Sequence, residues 1–356
     1  MRTVGAPGRE GHQPAPARAG SARARMTARQ VDVVLEVLLL AALATGLAAW
    51  TVGTGWVRWL TVAHGVCGLT VLVLSGAKLR GSVHTGLRRG RATRWISIGF
   101  GVGILVTIAL GVAHATALWF GVGEWTALWT HVLVAVVLVP VLAWHVGSRP
   151  SRPRLADLDR RAALRGGAAL AIGAAAYAAQ EVVVRGTAQP GGERRATGSH
   201  DVGSFDPDQM PAVSWLNDTA PSAVDDDWPL VIGGRPVTIA ELRAATRPVT
   251  ATVDCTGGWS STQRWDAVPL AELLEDGRAR SIRVTSFTGY SRLLPYSDRA
   301  HLHLAVGYGG EPLRRGHGEP VRLVAPGRRG PWWVKWVVAV ELDDRPWWLQ
   351  LPLPLE

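Results

Sequence analysis

Four apolar runs follow one another through the first 150 residues, at roughly 31–52, 57–79, 95–118 and 125–147, and a fifth, rich in Ala and Gly, covers about 163–184. A hydrocarbon layer about 30 Å thick takes about 20 apolar residues to cross as a helix, so each run predicts a transmembrane helix. After residue 185 the pattern changes. Residues 186–204, opening Gly186-Thr187-Ala188-Gln189-Pro190-Gly191-Gly192, are polar, without periodicity, and read as a flexible tether. From 205 onward short β-branched stretches alternate with Gly, Pro and Asp: Pro229 to Ile232, Val249 to Val253, Ile282 to Ser286 and Val321 to Val324. Only short helices fit there, at 238–245 and 269–276, which predicts a mixed α+β, mainly β domain over 205–356. Residues 1–30 are basic and rich in Ala, Gly and Pro, and read as disordered, with Met26 standing just before the first apolar run. The expected organisation is therefore multidomain: an all-α transmembrane bundle over 31–147, a cytoplasmic loop and fifth helix over 148–185, the tether, and the C-terminal domain.

Charge orients the helices. Residues 1–204 carry 22 Lys/Arg against 9 Asp/Glu, whereas residues 205–356 carry 16 against 19. The basic residues sit at the ends of apolar runs: Lys78, Arg80, Arg88, Arg89, Arg91 and Arg94 in one connection, Arg149, Arg152, Arg154, Arg160 and Arg161 in another. Connections 53–56 and 119–124 are nearly uncharged. Short basic loops stay cytoplasmic, and five crossings from an inside N-terminus place the C-terminal domain outside the cytoplasm, in a multi-pass cell-membrane protein. Nucleic-acid binding needs a basic surface on a folded soluble domain, and this distribution excludes it as a partner. Asp159-Arg160-Arg161-Ala162-Ala163-Leu164-Arg165 looks like an internal twin-arginine export signal with Ala163 where Phe is usual; an ordinary basic flank accounts for it equally well.

His64, His114, His131 and His145 fall inside the predicted spans, and His84 falls just past the second. A single intramembrane His is explained by an interhelical hydrogen bond, but ionisable groups in membrane helices are costly and usually functional. Neutral imidazole is a suitable axial ligand for haem iron. His131 and His145 are separated by about 21 Å along one helix and lie within about 40° of one face. The expectation is an outer b-type haem between His131 and His64, with His114 as the competing ligand, and an inner haem between His145 and His84. This half resembles the four-helix b-type cytochromes that accompany bacterial oxidoreductases, and departs from them in having no His on its first helix.

The two cysteines, Cys67 and Cys255, lie in different parts of this layout, so a disulfide between them is not expected. Cys255 ends the strand-like Thr250-Ala251-Thr252-Val253-Asp254 and precedes Gly257-Gly258-Trp259. A thiolate beside glycines that allow close approach suits a soft metal; a small buried hydrophobe suits the same residue.

Larger blocks carry a family resemblance. Asp254-Cys255-Thr256-Gly257-Gly258-Trp259-Ser260, Trp265-Asp266-Ala267-Val268-Pro269-Leu270, Thr288-Gly289-Tyr290-Ser291-Arg292-Leu293-Leu294-Pro295, His317-Gly318-Glu319-Pro320-Val321-Arg322-Leu323 and Trp333-Val334-Lys335-Trp336 occur in the order found in sulfite oxidase-type molybdopterin domains. The region resembles that family across nearly all of 210–345. The resemblance implies molybdenum held by a pyranopterin dithiolene and the Cys255 thiolate, with Tyr290 at the active site. It also implies His317, Arg322 and Lys335 at the pterin and its phosphate, and Ser286 and Asn217 as looser pterin contacts. The family's exported methionine sulfoxide reductases carry Asn at the position of His317.

The expected activity is oxygen-atom transfer on an S-oxide or N-oxide, free or protein-bound, with methionine sulfoxide reduction favoured and electrons drawn from the quinone pool through membrane haem. Sulfite oxidation competes; no Arg-rich anion pocket is evident at Cys255, where Arg264 is the nearest candidate. A non-catalytic sensor or electron-transfer subunit is the alternative of another class.

Overall fold

The computed structural model describes residues 27–53, 55–88, 94–119, 121–122, 125–148, 160–214, 218–224, 227–275 and 277–351. Asn217 and most of the basic connection 148–161 lie outside the described residues.

The five apolar runs form α1 (Ala28–Thr51), α2 (Val57–Arg88), α3 (Arg94–Thr116), α4 (Ala127–Gly147) and α5 (Arg160–Gly186). Each is long and apolar enough to cross a membrane. Val37, Leu40, Leu47, Val102, Leu133, Val136 and Val137 point outward and are exposed, an arrangement that suits a lipid surround and not water. The helix α2 outruns its apolar stretch because residues 77–88 hold no proline to stop it. His84, expected near the end of the second span, is therefore on the helix; its side chain is outside the described atoms. Leu35 and Leu38 of α1 pack with Cys67, Val71 and Leu74 of α2 and Ala169 of α5. Cys67 is a buried packing residue there. At the same end of α1, Lys78 of α2 pairs with Asp32 at 2.7 Å. Hydroxyls of Thr45, Thr70, Thr107 and Thr130 return hydrogen bonds to carbonyls one turn back, so they carry no unpaired donor into the bundle. A two-residue hairpin, β1 (Gly121–Val122) with β2 (Trp125–Thr126), joins α3 to α4.

The C-terminal domain is built of two sheets and two short helices. Its elements are β3 (His200–Asp201), β4 (Val231–Ile232), β5 (Arg235–Pro236), α6 (Ile239–Ala245), β6 (Arg247–Asp254), β7 (Trp259–Pro269), α7 (Leu270–Leu273), β8 (Ser281–Ser286), β9 (Ser291–Pro295), β10 (His303–Tyr308), β11 (Glu311–Pro312), β12 (Arg322–Val324) and β13 (Val337–Asp343). One sheet runs β11-β10-β7-β3, with β12 on β10 and β6 on β7; the other runs β5-β4-β13-β8-β9. The strands alternate inward apolar positions, as in Ala251 and Val253 of β6 and Ile282 and Val284 of β8. Trp265, Trp336 and Tyr308 fill the core between them. The mainly β architecture expected from the sequence is present, with strands and short helices at the expected places.

Residues 186–204 differ from the expected tether. They form a short 3-10 turn at Pro190–Glu193 and the strand β3, which runs parallel to β7 with His200 opposite Trp259. Arg195, Thr197 and Ser199 all bond the carboxylate of Asp254. Composition had concealed this, because the partners of these polar residues lie more than fifty positions away.

The C-terminal domain rests on one end of the bundle. Trp50 at the end of α1 donates its indole N–H to the Thr256 carbonyl at 2.7 Å. Thr61 of α2 bonds the Ala196 carbonyl, His200 bonds the carbonyl of His114 at the end of α3, and Thr126 at the start of α4 bonds the Gly257 carbonyl at 2.7 Å. All four helix ends are those that the charge pattern places outside.

Candidate active site

Cys255 stands between β6 and β7, where the chain must turn back to make the antiparallel pair, and its neighbours explain the turn. Its N–H donates to the Trp259 carbonyl, and Gly258 closes the turn with φ of 90°. A side chain at Gly258 would also meet the His114 ring, 2.6 Å from Cε1. The Gly257 N–H points at the sulfur, at 3.3 Å. Burial pushes the Cys255 thiol up, while this N–H, Arg329 and Lys335 favour the thiolate. The family-order blocks converge around it: one pocket is lined by Cys255, Tyr290, His317, Arg322 and Lys335, together with Asp218, Trp259 and Trp333.

Part of the pocket wall is cationic. Arg322 is buried, stacks on Trp265 and Trp333 at 5.0 and 5.6 Å, and donates one N–H to the His317 carbonyl at 2.9 Å. Its Nε has no partner among the described residues. Burial holds its pKa down to about 10. The Lys335 ammonium donates to the carbonyls of Val213, at 2.9 Å, and Gly316, at 2.5 Å. Burial and the adjacent Arg322 lower its pKa to about 7. His317 is fixed by Tyr308 Oη at 2.6 Å and the Met210 carbonyl at 3.1 Å, and burial followed by the charges of Arg322 and Lys335 lowers it to about 4. Two buried cations with donors to spare, and no carboxylate bonded to either among the described residues, fit a phosphate-bearing group, and the thiol in the same pocket fits a soft metal.

Tyr290 lines the pocket and donates its hydroxyl to the Pro331 carbonyl. Burial pushes its pKa up, so it stays protonated. Ser286 is not on the wall. Its hydroxyl accepts from the Thr288 N–H at 3.3 Å and its N–H donates to the Tyr290 carbonyl, so it shapes the turn that presents Tyr290. Arg264, the candidate for an anion pocket, is exposed on β7 and does not line the pocket. The arginine beside Cys255 is Arg329, which the sequence reading did not single out. It is buried, ion-paired with Asp254, and reaches Cys255 because residues 254 and 329 form a bridge across 75 positions.

In the bundle, His64 and His131 face each other with ring centroids 5.8 Å apart. The two hairpins hold them alike. His64 Nδ1 bonds the Ala42 carbonyl and its ring lies against Gly46; His131 Nδ1 bonds the Thr107 carbonyl and its ring lies against Gly111, both bonds being 2.8 Å. A carbonyl only accepts, so each Nδ1 carries the proton and each neutral ring keeps its Nε2 lone pair. That is the tautomer a metal-ligating His needs, with its second nitrogen anchored to backbone. A side chain at Gly46 would stand 2.8 Å from His64 Cε1, so only glycine leaves this ring its place. His114 is elsewhere: it is buried at the domain junction, its ring 4.9 Å from that of His200. His145 packs on Phe100, at 5.3 Å. Among the described residues no cluster of three or more His, Cys, Asp or Glu forms a protein-only metal site.

The pocket thus brings a thiol at a turn between strands together with two buried cations, within a two-sheet domain. Residues 217–348 match the family model described as "Oxidoreductase molybdopterin binding domain". No curated protein matches the chain. Among solved structures it is similar to the sulfane dehydrogenase SoxCD from Paracoccus pantotrophus, with 27% identity and a TM-score of 0.32, over 35% of this chain and 40% of that one. The likeness thus spans less than half of either chain.

Proposed function

We propose that the chain is a membrane-anchored molybdenum oxidoreductase that reduces an S-oxide or N-oxide outside the cytoplasm, with electrons passed from the quinone pool through a haem held by His64 and His131. The observation that carries this reading is the convergence of Cys255, Arg322, Lys335 and His317 on one pocket that sits directly on the bundle end nearest the His64–His131 pair. Cys255 would hold the molybdenum, and Arg322 and Lys335 the phosphate of the pterin. The bound metal supplies two-electron oxygen-atom chemistry at potentials the protein tunes. The protein's own residues do the rest: Tyr290, its O–H held by the Pro331 carbonyl, forms part of the pocket wall, the Gly257 N–H favours a charged sulfur, and the apolar rings of Trp259 and Trp333 limit water. For a sulfoxide, two electrons and two protons give the thioether and water. The paired His64 and His131, each anchored through Nδ1, support b-type haem in the bundle; His145 with His84 is retained from sequence as an inner pair, without a described contact between them.

Sulfite oxidation, with electrons passing inward, is the competing reaction. Arg329 bears on the choice. It shares the single carboxylate of Asp254 with Arg195, and Lys335 also bears on the sulfur, a surplus of positive charge that favours an anion such as sulfite. A sensor or electron-transfer subunit without turnover would not need a thiol in such a pocket.

Metal and pterin analysis of the purified full-length chain tests the reading. About one molybdenum and one pterin per chain, lost in Cys255→Ser, is the expected result, together with dye-linked reduction of sulfoxides exceeding dye-linked oxidation of sulfite. Absence of molybdenum from an exported preparation would end it.

A further inference from the structure

One wall of the pocket comes from the other half of the molecule. Trp129, two residues before His131 on α4, lines the pocket with the C-terminal residues. A Cβ built at Gly257 would lie 3.4 Å from Trp129 Nε1 and 3.5 Å from Cys255 Sγ. The indole and the sulfur therefore flank one point in space, with only the bare glycine between them.

The indole is held there by parts of the bundle. Thr126 caps α4, accepting from the Trp129 N–H at 3.1 Å, and the same hydroxyl donates to the Gly257 carbonyl. Trp50 stacks edge-on against Trp129 with centroids 5.7 Å apart and is tied to the Cys255 loop through Thr256. Arg329 then donates to the Trp50 carbonyl at 3.2 Å. Two helix ends and the cysteine loop are thus locked as one surface, and the indole has little freedom to swing away.

We infer that Trp129 is a specificity-determining wall of the catalytic pocket, contributed by the helical half, and that it restricts access to Cys255 to slender molecules such as small dialkyl sulfoxides. This rests on the reading of the Cys255 pocket as the catalytic site. A side chain that buries a rigid aromatic face beside a reacting centre fixes what can reach it. The C-terminal domain detached from the helices would lack this wall and accept bulkier molecules.

Thiol labelling of the cofactor-free, full-length chain in detergent, with Cys67→Ala as the background, tests the inference without turnover. In the parent, iodoacetamide should alkylate Cys255 while a fluorescein maleimide reacts more slowly, on the order of tenfold or more. In Trp129→Ala the maleimide rate should rise about tenfold while the iodoacetamide rate changes little, and Trp129→Phe should behave as the parent. Should Trp129→Ala fail to fold, Trp129→Leu, which keeps the apolar contact but not the span of the indole, carries the same expectation. Equal maleimide rates in the parent and the folded truncated variant would overturn the inference. Because no metal is involved, that result leaves the molybdenum reading standing, and a molybdenum-free enzyme leaves the labelling result standing.

Discussion

Arg329 and Asp254 form a buried ion pair beside Cys255, and each ties the cysteine loop to a different part of the chain. Asp254 also accepts from Ser199 at 2.7 Å, Thr197 at 2.8 Å and Arg195 at 3.2 Å; Arg329 also donates to Ser199 Oγ at 3.1 Å and to the Trp50 carbonyl. The pair therefore joins the segment before β3, the loop before β13 and the end of α1 at one point. A buried pair of this sort adds little net stability over an apolar one, yet removing one partner strands the other.

Arg329→Ala should accordingly cost about 3–5 kcal/mol, read as a lower midpoint of thermal unfolding in the cofactor-free chain. The double variant Arg329→Met, Asp254→Leu should recover much of that loss, since neither charge is then stranded. A double variant as unstable as the single one would show that the surrounding polar network, and not the pair, is what matters.

The apolar helices, the β domain and the family-order blocks were legible because each is written in local pattern: apolar run length, β-branched stretches, and short motifs in order. Cys255, Tyr290, His317, Arg322 and Lys335 were legible for that reason, and they share one pocket. The docking of the halves was not. Trp50, Trp129 and Arg329 look like interfacial aromatics and a loop cation, and their roles depend on contacts more than a hundred positions away. The Ser199–Asp254 bond shows why 186–204 was misread as loose: polar, Gly-rich chain is disordered only where nothing distant satisfies it.

If His64 and His131 ligate haem through Nε2, His64→Ala and His131→Ala should each abolish the Soret band of the outer haem. His114→Ala should keep it, because His114 packs on His200 and not on the pair. Optical spectra of the three reduced variants decide this. A band lost with His114 and kept without His64 would reassign the ligand.

Lys335 makes anion affinity pH-dependent. Its pKa in the cofactor-free pocket is near 7, and an anion at its ammonium favours the protonated form, so binding takes up a proton above that pH. Affinity should thus be complete below about pH 7 and fall by up to about tenfold per pH unit above it. Pyrophosphate binding to the cofactor-free chain, followed by calorimetry between pH 6 and 9, should show this slope, and Lys335→Met should flatten it as well as lower the affinity.

His317 acts on folding in the acid range. Its folded pKa, about 4, lies below the ordinary value of 6.5, so the unfolded chain binds more protons between those limits. The stability tied to its neutral form is fully present above 6.5 and is lost as pH falls toward 4, up to about 3 kcal/mol for a shift of this size. Comparing the unfolding midpoint of the parent and His317→Asn from pH 7 to 4 isolates the effect: the parent should lose more stability than the variant over that window.

If electrons pass between the halves as proposed, Gly258 is where that passage can be separated from catalysis. Its φ of 90° disfavours any side chain, and a Cβ there would stand 2.6 Å from His114 Cε1 and 3.1 Å from Leu128 Cβ. Gly258→Ala therefore forces the cysteine loop off the ends of α3 and α4, lengthening the path from His131 to Cys255. Oxygen-atom transfer with a small reduced dye, which delivers electrons from solvent, needs only the pocket; transfer from the bundle needs the docked interface. The expected result is haem reoxidation by a sulfoxide slowed more than dye-linked turnover, since only the relay crosses the displaced interface. Stopped-flow absorbance at the haem band beside a dye assay measures both on one preparation. Equal losses in the two assays would place the damage in the pocket itself and remove the interface from the electron route.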